Sequence, residues 1–435
     1  MYERIMLTMI EKSVGVRMYE LAEELFPICR SITGEGIRYT LNRLKKEVPQ
    51  IVLHEIPTGT KVFDWVVPRE WEISEAYIED MKGNRIVDFQ KNNLHVVGYS
   101  IPIDAIVSGD ELQAHLYSLP EHPDWIPYVT SYYKERWGFC VTENSRKKLT
   151  DNQYHVVIKS KLFDGSLTYA ELLIPGQVSD EIFFSTYACH PSMANNELSG
   201  PVVQIELAKL LMSRKNKYSY RLIWIPETIG SITYLSKNLD YMKEHIIAGY
   251  NITCVGDDRA VSYIQSRKGN TIADRAAKNV LKYIAPDYME YSYLNRGSDE
   301  RQYNAPGIDL PVCSICRTKF HEYPEYHTSA DDLKLISPKG LEKSYYIYKE
   351  IIEALEVNEI YRINCLCEPQ LGPRGLYPTE CFNRSSIAVK DMMDFIAYAD
   401  GTMDLIEISD KINVPVKKLD EIAQVLLKAN LFTKK

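Results

Sequence analysis

The stretch Ile182-Phe-Phe-Ser-Thr-Tyr-Ala-Cys-His190-Pro-Ser-Met-Ala-Asn-Asn-Glu-Leu-Ser-Gly200 decides the fold. Its opening run is apolar and rich in β-formers, the pattern of a strand covered on both faces. A His-Pro turn and a polar loop follow, and then a helical pattern begins. A buried parallel strand with a histidine at its C-terminal end sets that histidine where open α/β sheets hold their sites.

Outward from this stretch, strand patterns recur at 169–174, 181–188, 220–225, 250–255 and 310–315. Helical patterns lie between them, at 201–212, after Gly230, at 274–283 and at 338–355. Strands separated by helices predict an α/β fold with a mainly parallel central sheet and helices on both faces. Two amphipathic helices (15–26 and 35–47) and a strand (51–56) open the chain. From 58 to 161 the texture changes: Trp65, Trp71, Trp125 and Trp137 stand among tyrosines and prolines, and helical periodicity is scarce. A small β-rich domain is therefore expected there, inserted into an α/β domain made of 1–57 and 162–365. Residues 366–435 read as a linker and a winged-helix-like domain. Its helical patterns fall at 387–398, 403–412 and 416–428, with the break Asn413-Val414-Pro415 before the last.

Bulk properties narrow the function classes. The net charge of -8 argues against a nucleic-acid surface spread over the whole molecule. From Ala388 to Lys435 seven lysines face eight acids, so the winged helix is expected to dock a protein or oligomerise rather than read DNA. No run approaches the roughly 20 apolar residues that span a bilayer, and the N-terminal stretch lacks the basic lead and long apolar middle of a signal peptide. Nine scattered cysteines suit reduced thiols in a cytoplasm. Cys313 and Cys316 lie in a strand-like run, and Cys365 with Cys367 has no second knuckle, so core thiols are expected rather than a structural zinc site.

Five places at strand ends or in adjacent loops carry polar side chains that suit a metal-activated water: His190, Glu227, Asp257 with Asp258, Ser298-Asp299-Glu300-Arg301, and His327. Each has a plain structural alternative, such as a helix cap or a satisfied polar residue. In a parallel sheet polar breaks at successive strand ends converge on one edge. Neutral imidazole and carboxylate can hold zinc with one position left for water, and a nearby glutamate can take that water's proton. His321-Glu322 with His327 is not the helical H-E-x-x-H pattern, because the spacing differs and Pro324 interrupts it.

The order His190, Asn196-Glu197-Leu198-Ser199-Gly200, Glu227, Asp257, Ser298-Asp299 and Tyr326-His327-Thr328-Ser329-Ala330-Asp331 resembles the zinc-dependent aminopeptidases of phosphorylase/hydrolase-like fold. More narrowly it resembles a bacterial group with an inserted β domain and a C-terminal winged helix, often encoded near polysaccharide-biosynthesis genes. The resemblance implies that His190 and Asp257 bind a first metal, that His327 binds a second, and that Glu227 is the general base. Two positions depart from the pattern. Asn196 stands where the family has a metal-bridging aspartate, and Thr228 where it has a second glutamate. A neutral amide and a hydroxyl do not offset the repulsion of two close cations, so a single zinc shared among His190, Asp257 and His327 is expected. Asn196, Asp258, Arg301 and Tyr326 remain candidates for metal or substrate contact, the last two as oxyanion donors. The expected substrate is a small peptide or an aminoacyl or acylated sugar. The alternative is a catalytically degenerate binding protein linked to polysaccharide biosynthesis, with the winged helix docking a partner or DNA.

Overall fold

A computed structural model describes residues 12–376 and 383–435; the N-terminal stretch before Lys12 and part of the connector after 376 lie outside the described residues. The chain divides into two compact units, one running to Arg267 and including Met289–Tyr345, the other Lys268–Tyr288 with Tyr346–Lys435.

The first unit is built on an eight-stranded sheet. Its strands in chain order are β1 (Val52–Pro57), β2 (Ser166–Ile174), β3 (Glu181–Tyr187), β4 (Ser219–Ile225), β5 (Ile246–Asn251), β6 (Ser262–Ile264), β7 (Met289–Tyr291) and β8 (Val312–Cys316). They lie side by side as β1-β2-β4-β3-β5-β8-β6-β7. The central four, β4-β3-β5-β8, are parallel, while β2 runs antiparallel to β4 and β6 antiparallel to β8. Every residue of β3 and β4 is buried, as an unalternating apolar run requires. Helix α1 (Val14–Leu25) starts at Ser13, whose Oγ accepts from the Val16 N–H, and α2 (Glu35–Glu47) buries Ile37, Leu41 and Leu44.

Helix α3 (Ser199–Met212) follows β3 and leads to β4 on one side, and α4 (Ile229–His245) carries the chain from β4 across to β5 on the other. The C-terminal end of β3 is thus the point where the winding reverses, the place at which doubly wound sheets open a crevice. Helix α3 packs so closely that a Cβ at Gly200 would lie 2.2 Å from Thr186 Oγ1 and 2.5 Å from the Ile252 carbonyl oxygen. That contact accounts for the Ser-Gly of the deciding stretch.

The insert forms a four-stranded antiparallel sheet, in which Glu70–Glu79 and Gln153–Phe163 are the long central pair. Its root is fixed by the buried Glu70, which pairs with Arg38 of α2 and accepts the Ser166 N–H at 3.0 Å.

In the second unit, α5 (Ile272–Ile284) and the end of α6 (Pro338–Glu356) join α7 (Asn383–Tyr398), α8 (Leu405–Ile412) and α9 (Val416–Lys428). Strands Ile360–Ile363, Asp400–Asp404 and Phe432–Lys434 complete the winged helix. The periodicity at 274–283 predicts a helix of the α/β domain; the helix forms, but α5 belongs to this second unit. Arg275 pairs with Asp404 at 2.8 Å, and Asn279 Nδ2 donates to Ser409 Oγ and Asp410. Cys313 and Cys316 are buried in β8, whereas Cys367 is exposed. Among the described residues no helix is long and apolar enough to cross a membrane.

Candidate active site

Loops leaving β3 and β4 bring His190 and Glu227 together at the winding reversal, with His190 Nε2 3.6 Å from Glu227 Oε2. His327 joins them from the loop after β8, its ring centroid 5.3 Å from that of His190. Together with Arg301 they line a cavity of about 300 Å³, to which insert residues that include Trp65 and Tyr132 also contribute. The Tyr128 ring of the insert packs 5.0 Å from His190 and 5.3 Å from His327. The insert is stitched to the His327 loop by the backbone. Tyr128 N–H donates to the His327 carbonyl at 2.9 Å, and Ser329 N–H to the Ile126 carbonyl at 2.8 Å.

The imidazole of His190 is set by residues behind it. Its Nδ1 lies 2.7 Å from Glu197 Oε2, and Arg30 Nε approaches the other Glu197 oxygen at 3.8 Å, with both side chains fully buried. Burial alone would depress the His190 pKa; the neighbouring Cys189 sulfur and Glu197 carboxylate reverse this and hold it well above the ordinary range. Burial pushes the Cys189 thiol up to about 11, so at neutral pH it is uncharged and Glu197 supplies the field. Cys189, His190 and Glu197 offer metal-ligand atoms within 4.8 Å of one another. Within that group Glu197 Oε2 is taken by Nδ1 while its buried Oε1 has no hydrogen-bond partner, and Cys189 Sγ accepts the Glu227 N–H at 3.2 Å. A carboxylate on Nδ1 is the arrangement that turns the opposite nitrogen toward a metal.

His327 behaves differently. Burial and then the charge of His190 depress its pKa well below the ordinary range, so its imidazole is neutral, and its buried Nε2 has no hydrogen-bond partner. Tyr326 stacks on it at 3.9 Å. Burial raises the Glu227 pKa, with His190 and Arg301 opposing. Imidazole nitrogen and carboxylate oxygen, both present in this cavity, are donor types that zinc takes. Of the two positions that depart from the family pattern, Thr228 Oγ1 accepts from Arg301 Nη2 at 2.6 Å, and Asn196 donates from Nδ2 to Tyr187 Oη while its buried Oδ1 has no hydrogen-bond partner.

The backbone behind Glu227 is strained. Thr228 has φ 65 and ψ -75, and the Ile229 N–H donates to the Glu227 carbonyl at 2.8 Å, which closes a γ-turn of the unfavourable positive-φ form. Asp299 stabilises it: Oδ1 accepts from Thr228 N–H at 2.8 Å and Ser231 Oγ at 2.7 Å. Strain of this kind persists only where the surroundings over-determine it.

Asp257 does not join the site. Strand β5 ends at Asn251, earlier than the apolar pattern at 250–255 predicts, so Asp257 lies well past the sheet edge. Its carboxylate is occupied by Thr318 N–H and Oγ1, Arg259 N–H and Asn195 Nδ2. Asp258 is exposed and accepts from Ser337 Oγ at 2.6 Å. The Asp331 that closes the Tyr-His-Thr-Ser motif is structural: it accepts the N–H groups of Ala194, Asn195 and Asn196, fixing the start of the turn that leads into α3. Glu197, Cys189 and Arg30 go unassigned by sequence reasoning, and Asp299 is read there only as part of a polar loop. Only Glu197 and Cys189 lie in the deciding stretch, where a buried acid seven residues after a histidine was the available signal.

Comparison with known proteins agrees with this architecture. The family described as "Domain of unknown function (DUF4910)" matches residues 19–358, and a winged helix-turn-helix family matches 359–434. The chain belongs to the DUF4910 family. A Clostridium acetobutylicum relative, provisionally named a polysaccharide biosynthesis protein with aminopeptidase-like domain, is 44% identical over 420 residues, 96% of each chain. A crystal structure from the same organism, provisionally described as a peptidase, superposes with TM-score 0.91 at 43% identity, covering 97% of this chain and 96% of that one. The zinc aminopeptidase BSAP of Bacillus subtilis matches at TM-score 0.59 and 12% identity, over 79% of this chain and 94% of its own. The DUF4910 chain thus carries the aminopeptidase-like fold, extended by a winged helix.

Proposed function

We propose that the chain is an amide hydrolase that uses one zinc ion held by His190 and His327, with Glu227 as general base. The observation that carries this reading is the meeting of a neutral, unpartnered His327 Nε2, a carboxylate-oriented His190 and a pKa-raised Glu227 in one cavity. Bound there, the ion supplies Lewis-acid polarisation of the scissile carbonyl and a lower pKa for the attacking water. Glu227 accepts the proton of that water and returns it to the leaving nitrogen, so the C–N bond breaks as a C–O bond forms and a free amine departs. Arg301, anchored on Thr228, donates to the oxygen on which negative charge develops. Glu197 keeps the His190 ring fixed throughout, and the Tyr128 ring keeps bulk water from both imidazoles.

The substrate is a small peptide or an aminoacyl or acylated sugar, and the name of the Clostridium relative supports the sugar. The winged helix serves docking or oligomerisation: on α9 exposed Lys417, Lys418 and Lys428 alternate with Glu421, and Lys418 is paired with Asp391. Salt-sensitive binding of the full chain to duplex DNA would overturn that assignment. A second reading, a binding pocket without catalysis, is favoured by the absence of Asp257 from the site. Glu227→Gln decides between them. Amine release from aminoacyl amides and N-acyl amino sugars is expected to fall at least about 100-fold; turnover unchanged by the substitution, or none by the native protein, sinks the hydrolytic reading.

A further inference from the structure

The insert opens a second cavity beside the first. Trp65, Tyr132 and Tyr133 form a wall common to the catalytic cavity and to an outer one of about 560 Å³. Trp65 and Tyr133 are 38% and 58% exposed, with ring centroids 5.4 Å apart at 72°. They are held there by local structure. Trp65 stands on a two-stranded ribbon, Lys61–Val62 against Trp65–Val66, whose turn places Phe63 at φ 54, a conformation that side-chain-bearing residues seldom adopt. Tyr133 follows Tyr132, whose hydroxyl is 2.8 Å from that of the half-buried Tyr128. Charged planar groups rim the pair: Arg69 and Glu135, joined as an ion pair, line the outer cavity together with Lys134.

Aromatic faces left in water beside paired guanidinium and carboxylate groups suit one ligand class. A pyranose ring has an apolar C–H face that stacks on an aromatic ring, and its vicinal hydroxyls match bidentate charged groups. We propose that the outer cavity is a saccharide subsite in which Trp65 and Tyr133 take a pyranose ring and Arg69 and Glu135 its hydroxyls. Resting on the hydrolytic reading, the amide presented to Glu227 is then one carried by an amino sugar within a longer glycan. Trp65, Tyr132 and Tyr133 border both cavities, so a saccharide held on the outer one lies beside the cavity that contains Glu227.

The test uses the full chain carrying Glu227→Gln, titrated calorimetrically with chitotetraose and, in parallel, with hexaglycine. Chitotetraose is expected to bind, and to bind about tenfold more weakly when Tyr133→Ala or Trp65→Ala is added, with Trp65→Phe recovering most of the loss. Because Tyr133 is mainly exposed, its variant reports on binding even where a Trp65 variant misfolds. In the active protein, the ratio of kcat/KM for an N-acylated tetrasaccharide over the matching monosaccharide is expected to drop by a similar factor in Tyr133→Ala. Absence of chitotetraose binding, or binding indifferent to both aromatic residues, overturns the proposal. So does hexaglycine binding that depends on the same residues while chitotetraose does not bind. The titration needs no turnover, so failure of hydrolysis alone refutes the catalytic reading and not this one.

Discussion

Replacing Glu197 with Gln tests the support of the site without touching any group that meets substrate. Glu197 sits between His190 Nδ1 at 2.7 Å and Arg30 Nε at 3.8 Å, and neither carboxylate nor guanidinium reaches solvent. The amide keeps a hydrogen bond to Nδ1 but loses the charge that orients the ring, and outer carboxylates of this kind contribute about 10–100-fold to metal affinity. It also strands the Arg30 charge, left with the carbonyls of His190 and Leu25. Breaking one side of a buried pair costs on the order of 3–5 kcal/mol, and the surviving hydrogen bonds place this case at the lower end, about 3 kcal/mol. Expected outcomes are a zinc affinity lowered by one to two orders of magnitude in a calorimetric titration, and a lower Tm by scanning calorimetry. Adding Arg30→Met removes the stranded charge and is expected to return much of the stability but none of the zinc affinity. An affinity within twofold of native and an unchanged Tm would refute the argument that Glu197 holds His190 in place.

Burial, and next the Glu227 charge, raise the Asp299 pKa to about 7, against about 3.9 in an unfolded chain. Between these values the native state keeps a proton that the unfolded chain has lost. Stability should therefore fall as pH rises from about 4 to about 7, by roughly 4 kcal/mol at most; Asp299→Asn is expected to flatten that slope in urea titrations run across the window. Gly200→Ala forces a Cβ to 2.2 Å from Thr186 Oγ1 and 2.5 Å from the Ile252 oxygen, and should destabilise the first unit by about 3 kcal/mol; a Tm equal to native would contradict the packing described. Chelation should lower the Tm of the native protein, since an ion present at about 1,000 times its Kd adds roughly 4 kcal/mol, and should leave His327→Ala unmoved. An equal response in both proteins would remove His327 from the metal set.

The deciding stretch and its neighbours determined the α/β fold because burial on both faces leaves a local signature: unbroken apolar strands divided by amphipathic helices. His190 and Glu227 were legible for the same reason, since each directly follows such a strand, and the winged helix could be read from three helical periods and one Asn-x-Pro break. What the sequence left open depended on where strands stop and which loops meet. Strand β5 stops at Asn251, which carries Asp257 away from the sheet edge and onto Thr318, and no local pattern marks that end. Asp331 looked like part of a site and is an anchor for three backbone N–H groups, a role set by a contact more than 130 residues away in sequence. Arg30 reaches His190 across 160 residues and Asp299 reaches Thr228 across 71, and the Trp65–Tyr133 wall is likewise brought in by the fold. Local burial is written residue by residue, whereas a site is closed by side chains that only the tertiary fold brings within a few ångströms.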